Sequence, residues 1–155
     1  MEQTDHKLFM ELAEKAAGKS NCIRRSVGAV IVAQGMVVST GWNGLPESRG
    51  DCREAGCPRC IIGGDTGSGY ETCICIHAEQ HAIADAARRG VSTDGGTMYV
   101  NLRPCMQCLA IARASGVRRI FFDGREWKYP EDIETVYQRL AGQFEEFGRP
   151  VEAVR

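Results

Sequence analysis

Two short motifs restrict what this chain can fold into more than any other feature. His77-Ala78-Glu79 opens one segment of helical character, Pro104-Cys105-Met106-Gln107-Cys108 opens another, and a strand-like run lies between them. If the two helices lie side by side on one sheet, His77, Cys105 and Cys108 can converge. One histidine and two thiolates are three ligands, one short of the four that a tetrahedral Zn²⁺ takes, and catalytic zinc sites leave that fourth position to water. Glu79, two residues past the histidine, is then a candidate proton carrier for that water.

Each half alone admits a plainer reading. Cys105-x-x-Cys108 equally describes a redox pair or half of a structural zinc site. His77 and His81 stand one helical turn apart, so a two-histidine site has also to be weighed. A carboxylate in the first turn of a helix is commonly just solvated. Both motifs together, each at a helix start in one short chain, favour catalytic zinc. Only three histidines exist, and His6 stands in the first predicted helix, away from other ligand types. Cys105 and Cys108 fall in a helical first turn, where the dipole favours thiolate. Two thiolates also make metal-bound water less acidic than the value of about 7 found in imidazole-rich sites, so a base such as Glu79 is needed.

The rest of the chain supplies a scaffold. Residues 4–18 repeat Leu8, Phe9, Leu12, Ala13 and Ala16 at helical spacing, with Thr4 or Asp5 as a cap and Gly18 as a stop. Val27–Val32 and Met36–Thr40 flank Ala33-Gln34-Gly35 and read as a β-hairpin. A second helix is predicted over His77–Arg89, ending at Gly90, then a strand over Thr97–Leu102, a third helix over Cys105–Ser115 and a strand over Val117–Phe122. Strand, helix, strand at this spacing implies a parallel βαβ unit. Asp123–Pro130 reads as a loop carrying Trp127 and Tyr129. Glu131–Phe147 reads as a last helix with Ile133, Val136, Tyr137, Leu140 and Phe144 on one face, and Val151–Val154 as a short final strand. The expected fold is a three-layer α/β/α domain over residues 1–155, with a mixed sheet of about five strands. A cysteine-bearing loop, at about residues 44–76, has no periodicity; a loop this long is usually functional or tied down.

Formal net charge is −1 and there is no basic run, which argues against long nucleic acids but not against small anionic ligands. The N-terminal stretch has no apolar signal-like segment, so a cytoplasmic location and no membrane association are expected. Thiols stay reduced there, and eight cysteines are then better explained by metal ligation than by disulfides.

The order His-x-Glu, then Pro-Cys-x-x-Cys, is similar to the signature of zinc-dependent nucleobase deaminases. Cys22-Ile23-Arg24-Arg25-Ser26-Val27-Gly28-Ala29-Val30-Ile31-Val32, the turn Thr40-Gly41-Trp42-Asn43-Gly44-Leu45-Pro46, and Thr97-Met98-Tyr99-Val100 before the cysteine motif extend the likeness from about Cys22 to Phe122. In these stretches the chain resembles the deoxycytidylate (dCMP) deaminases of the cytidine deaminase superfamily. The resemblance implies a cytidine-deaminase-like fold, a catalytic zinc on His77, Cys105 and Cys108, Glu79 as proton shuttle, and Asn43 near the sugar or phosphate of a nucleotide. It implies a second, structural zinc on Cys22, Cys52, Cys57 and Cys73; Cys60 and Cys75 are extra and leave that set open, with free, partly buried thiols as the plain alternative. It also implies a homo-oligomer, a hexamer in many relatives, and a response to dCTP and dTTP.

One position departs from the family. His81 stands where dCMP deaminases usually carry Asn, and there it resembles the riboflavin-pathway pyrimidine deaminases, although those space their cysteines further apart. That makes His81 a candidate substrate contact, with a satisfied polar residue near the site as the plain alternative; Arg24, Arg25 and Arg103 are candidates for a phosphate, or equally surface charges. The expected reaction is hydrolytic deamination of dCMP to dUMP and ammonia, with Glu79 moving the proton from water to the ring nitrogen and then to the departing amine. Rival readings are a deaminase of a 5-substituted dCMP, a free base or a riboflavin-pathway pyrimidine, a tRNA adenosine deaminase, and a non-enzymatic zinc scaffold. The cysteine-bearing insertion, the Trp42-Asn43-Gly44 turn and the lack of a basic face speak against tRNA; Glu79 speaks against the scaffold.

Overall fold

The hairpin forms where its β-branched runs place it, with β1 at Gly28–Ala33 and β2 at Met36–Trp42, paired antiparallel. Gln34 and Gly35 join them, both at positive φ (53° and 75°), the two-residue turn whose twist matches that of the flanking strands. The register passes from Ile31 opposite Ser39 to Val32 opposite Val37, so Val38 is the extra residue of a β-bulge. In this computed structural model the described residues are 3–45, 50–63, 69–122 and 130–145.

Three more strands complete a five-stranded sheet of order β2-β1-β3-β4-β5: β3 (Thr97–Val100), β4 (Arg119–Phe122) and β5 (Glu131–Asp132). β3 and β4 are parallel and every other pair is antiparallel, so the predicted βαβ unit and the mixed sheet are both present. Side chains alternate across the sheet, as the two-residue period requires. Val30, Val32, Tyr99 and Phe121 point to one face and meet Phe9 and Ala13 of α1 (Gln3–Ala17). Ala29, Ile31, Met98, Val100, Ile120 and Phe122 point to the other. There they meet α3 (Ala78–Arg89), α4 (Met106–Ala114) and α5 (Ile133–Glu145). The layers are therefore α/β/α. A short α2 (Pro58–Ile62) and a 3₁₀ turn (Tyr70–Thr72) lie in the cysteine-bearing stretch.

Two close approaches fix these layers. A Cβ at Gly41 would overlap the Ala78 carbonyl oxygen and the Ala82 nitrogen of α3, and a Cβ at Gly28 would overlap the Ala13 carbonyl of α1. The glycines let helix backbone rest on strand backbone, and α3 presents buried Ala78, Ala82 and Ala86 to the sheet for the same reason. The loop before α3 is pinned as well. Ile76 and Gly44 exchange two backbone hydrogen bonds of 3.0 Å, tying the residue before His77 to the end of β2.

Some expectations change. Thr4 and Asp5 lie inside α1, not ahead of it as caps. A fifth strand, Glu131–Asp132, occupies what was expected to be the start of the last helix; its two acidic residues carry no β signal and pair only because the β4 edge lies beside them. Pro46, Trp127, Tyr129, the Phe144 side chain, Phe147 and the 151–154 segment lie outside the described residues. Among the described residues no helix is long and apolar enough to cross a membrane.

Adding a methyl at Gly41 has to push α3 off the sheet. Gly41→Ala is expected to cost about 1–3 kcal/mol, read as a lower urea midpoint at an unchanged denaturant slope.

Candidate active site

His77 is the N-cap of α3 and Cys105 the N-cap of α4, so the two sequence motifs sit at neighbouring helix starts. Gln80 Oε1 accepts from the His77 N–H at 3.1 Å, holding the cap residue in place. The His77 Nδ1 lies 3.6 Å from Cys105 Sγ and 3.4 Å from Cys108 Sγ. For Zn–N and Zn–S bonds of ordinary length, a tetrahedral N···S edge is about 3.6 Å. The trio is thus already spaced as ligands of one ion, and these three atoms form a group able to hold a metal.

The electrostatics point the same way. Glu79 is 4% exposed, and burial raises its carboxyl above the usual range. The hydrogen bond from Cys108, with help from His77, pulls Cys105 down to about 4, while the Cys105 contact and burial push Cys108 up. His77 is raised by its hydrogen bond to Cys105. Two thiols and a buried carboxyl crowd one spot, and only the first proton leaves easily. A cation among them would stabilise the second thiolate as well. The helix starts of α3 and α4 add positive potential there.

His77, Glu79 and Cys105 line a cavity of about 230 Å³, together with Tyr70, Asn43, Arg24, Arg25, Arg59 and Arg103. A neighbouring hollow shares Arg25, Tyr70 and Arg103. The Tyr70 ring stands 5.8 Å from the His77 ring, centroid to centroid, and the Arg59 guanidinium lies 4.2 Å over Tyr70. Asn43 braces the wall. Its Oδ1 accepts from the Val27 N–H at 2.8 Å and its Nδ2 donates to the Arg25 carbonyl at 2.9 Å, which leaves one N–H and one lone pair for a ligand.

One sequence candidate goes elsewhere. His81 does not line the cavity; its Nδ1 is 3.1 Å from the Trp42 nitrogen and 3.0 Å from the Trp42 carbonyl oxygen, and its ring packs edge-on against the indole at 4.4 Å. The departure from the family's Asn therefore joins α3 to the end of β2, and the two-histidine site does not form. His6 is buried against Tyr99, Nδ1 to hydroxyl 2.7 Å. Cys22, Cys52, Cys57 and Cys73 do not gather as one set of four; they fall into two trios, Cys22-Cys52-Cys75 and Cys57-Cys73-Cys75, with Cys60 3.2 Å from Cys52. Sequence reasoning missed Arg59 and Tyr70, which lie in an aperiodic stretch and are marked only by their position between cysteines.

Residues 3–123 match the family model described as "Cytidine and deoxycytidylate deaminase zinc-binding region". The chain belongs to this family. As a family member it is 38% identical over 114 residues to a deoxycytidylate deaminase of Schizosaccharomyces pombe, a match covering 74% of this chain and 35% of that protein. The chain thus spans about a third of that relative's length. With the deoxycytidylate deaminase of Mycobacterium phage D29 it shares 36% identity over 119 residues, covering 74% of this chain and 90% of the phage protein. The solved dCMP deaminase of cyanophage S-TIM5, in complex with dCMP and dUMP, superposes with a TM-score of 0.65 at 26% identity, covering 90% of this chain and 94% of that one. The cytidine-deaminase-like α/β/α fold expected from the sequence is the fold observed.

Removing one sulfur should weaken metal binding more than the 10–100-fold typical for loss of an outer-shell partner. Cys108→Ser is expected to pass that loss in a competitive zinc-chelator titration, with the circular dichroism of the native protein retained.

Proposed function

We propose that this protein deaminates dCMP hydrolytically to dUMP and ammonia. The observation that carries the reading is the convergence of His77, Cys105 and Cys108 beside the buried Glu79, with His77, Cys105 and Glu79 lining a cavity that four arginines also line. Zinc held by His77, Cys105 and Cys108 supplies Lewis acidity and an open position for water. Its donor set, one imidazole and two thiolates, is chemistry that zinc favours.

Glu79 does the proton work. Its carboxylate takes a proton from the attacking water and delivers it to the ring nitrogen next to the amidine carbon. It then takes the remaining hydroxyl proton and hands it to the amine. The C–N bond breaks, the water oxygen becomes the carbonyl oxygen, and ammonia leaves. A carboxyl whose pKa is raised by burial suits both roles, since it neither holds its proton too weakly nor releases it too reluctantly.

The remaining side chains explain the substrate class. The Tyr70 ring beside His77 offers a face for a pyrimidine, and Asn43 retains hydrogen-bonding capacity toward a sugar. Four guanidinium groups around one cavity suit a dianionic phosphate, which distinguishes a nucleotide from a nucleoside or a free base. Relatives named deoxycytidylate deaminase, including the phage protein spanned almost in full, support the same substrate.

Glu79→Gln is expected to retain zinc and fold while kcat for dCMP falls by about 10²–10⁴-fold or more; turnover at the parent rate would refute the proton role. Arg25→Ala is expected to raise KM for dCMP by about 10–100-fold, the value of a charge-assisted hydrogen bond, with deoxycytidine turnover little changed. Equal losses on both substrates would place the phosphate elsewhere.

A further inference from the structure

The other six cysteines lie together a few residues from the catalytic trio. Cys52, Cys57 and Cys60 are buried, with Cys22, Cys73 and Cys75 packed against them. Two trios have all their sulfurs within 4.8 Å of one another, Cys22-Cys52-Cys75 and Cys57-Cys73-Cys75, and Cys75 belongs to both. Cys60 joins them from the other side. Its sulfur is 3.2 Å from that of Cys52 in the first trio, and it also contacts Cys57 in the second. The six thiols therefore fall into a terminal pair (Cys22, Cys52), a second terminal pair (Cys57, Cys73) and two thiols shared between the pairs (Cys60, Cys75).

One tetrahedral zinc ion can use only four of these sulfurs, and no four of one kind form a separate group here. Thiolates on a single zinc stand about 3.8 Å apart, given Zn–S bonds of about 2.3 Å. That spacing fits each trio but not both trios around one centre. Two tetrahedra sharing an edge need two terminal pairs and two bridging thiolates, which is the partition observed. Backbone N–H groups already point at terminal sulfurs, from Ile23 to Cys52 and from Ile74 and Cys60 to Cys57; such donors stabilise thiolate.

We propose that these six cysteines hold two zinc ions, Cys22 and Cys52 on one, Cys57 and Cys73 on the other, and Cys60 and Cys75 bridging both. This exceeds the single structural zinc on four cysteines that the family resemblance implies, and it does not depend on the reaction proposed above. On binding, each thiol that becomes a ligand gives up its proton, and six thiolates with two Zn²⁺ carry a net charge of about −2. The cluster also shapes the cavity. Arg59 lies between ligands Cys57 and Cys60, Tyr70 lies three residues before Cys73, Arg24 and Arg25 follow Cys22, and His77 follows Cys75. The paired ions would hold these cavity residues through the backbone that adjoins each ligating cysteine.

The full chain, exchanged with cadmium and followed by cadmium NMR with elemental analysis, tests this. Three metal ions per chain are expected, two of them giving tetrathiolate resonances split by mutual coupling through shared sulfurs, and the third uncoupled. His77→Ala should remove only the third, which separates this proposal from the catalytic one. Cys60→Ser and Cys75→Ser should each change the size of the coupling, and the double variant should abolish it; if a variant fails to fold, the coupling in the parent protein decides alone. Two ions per chain with no coupled pair, iron with visible absorption, or six freely titratable thiols beside one metal would each overturn it.

Discussion

The His77 imidazole nitrogen sits 3.4–3.6 Å from two sulfurs that lie 28 and 31 residues further along the chain, and most of the structure exists to make that contact. The histidine must cap α3, the cysteines must begin α4, and both helix starts must open toward the same end of the sheet. Gly41 fixes the height of α3 over β2 by allowing backbone contact. The Ile76–Gly44 bridge fixes where α3 begins. The parallel β3–β4 pairing with α4 between them returns Cys105 and Cys108 to the same edge. A shift of an ångström in any of these would take the trio out of ligand spacing, which is why small residues recur at the contacts.

The same contact organises the charges. Two thiols, a buried carboxyl and an imidazole are a costly group to bury together without a cation, and the helix starts offset only part of that cost. A zinc ion held by His77, Cys105 and Cys108 would supply Lewis acidity beside the buried Glu79. The trio and Glu79 belong to the starts of α3 and α4, whereas Arg59 and Tyr70 enter the cavity from the cysteine-bearing stretch.

That division matches what could be read from residues alone. The layers were legible because Val30, Ile31 and Val32, or Met98, Tyr99 and Val100, alternate between two apolar faces. The trio and Glu79 were legible because ligand chemistry and helix starts coincide in a short sequence. β5 was not legible, since Glu131 and Asp132 have no strand propensity and pair only by virtue of the edge they meet. For His81 the sequence leaves a substrate contact and a satisfied polar residue both open, and its position on α3 turns it to Trp42. Arg59 and Tyr70 reach the cavity from a stretch whose cysteines pack together with Cys22, and no local pattern records which cysteines come together.

The most direct test is ammonia release by zinc-loaded protein offered dCMP, deoxycytidine, dCTP, 5-methyl-dCMP and guanine in parallel. The account expects dCMP to have the highest kcat/KM, with deoxycytidine well below it for want of the phosphate. Guanine or deoxycytidine turned over as well as dCMP, or no ammonia from any of them at full zinc occupancy, would contradict it.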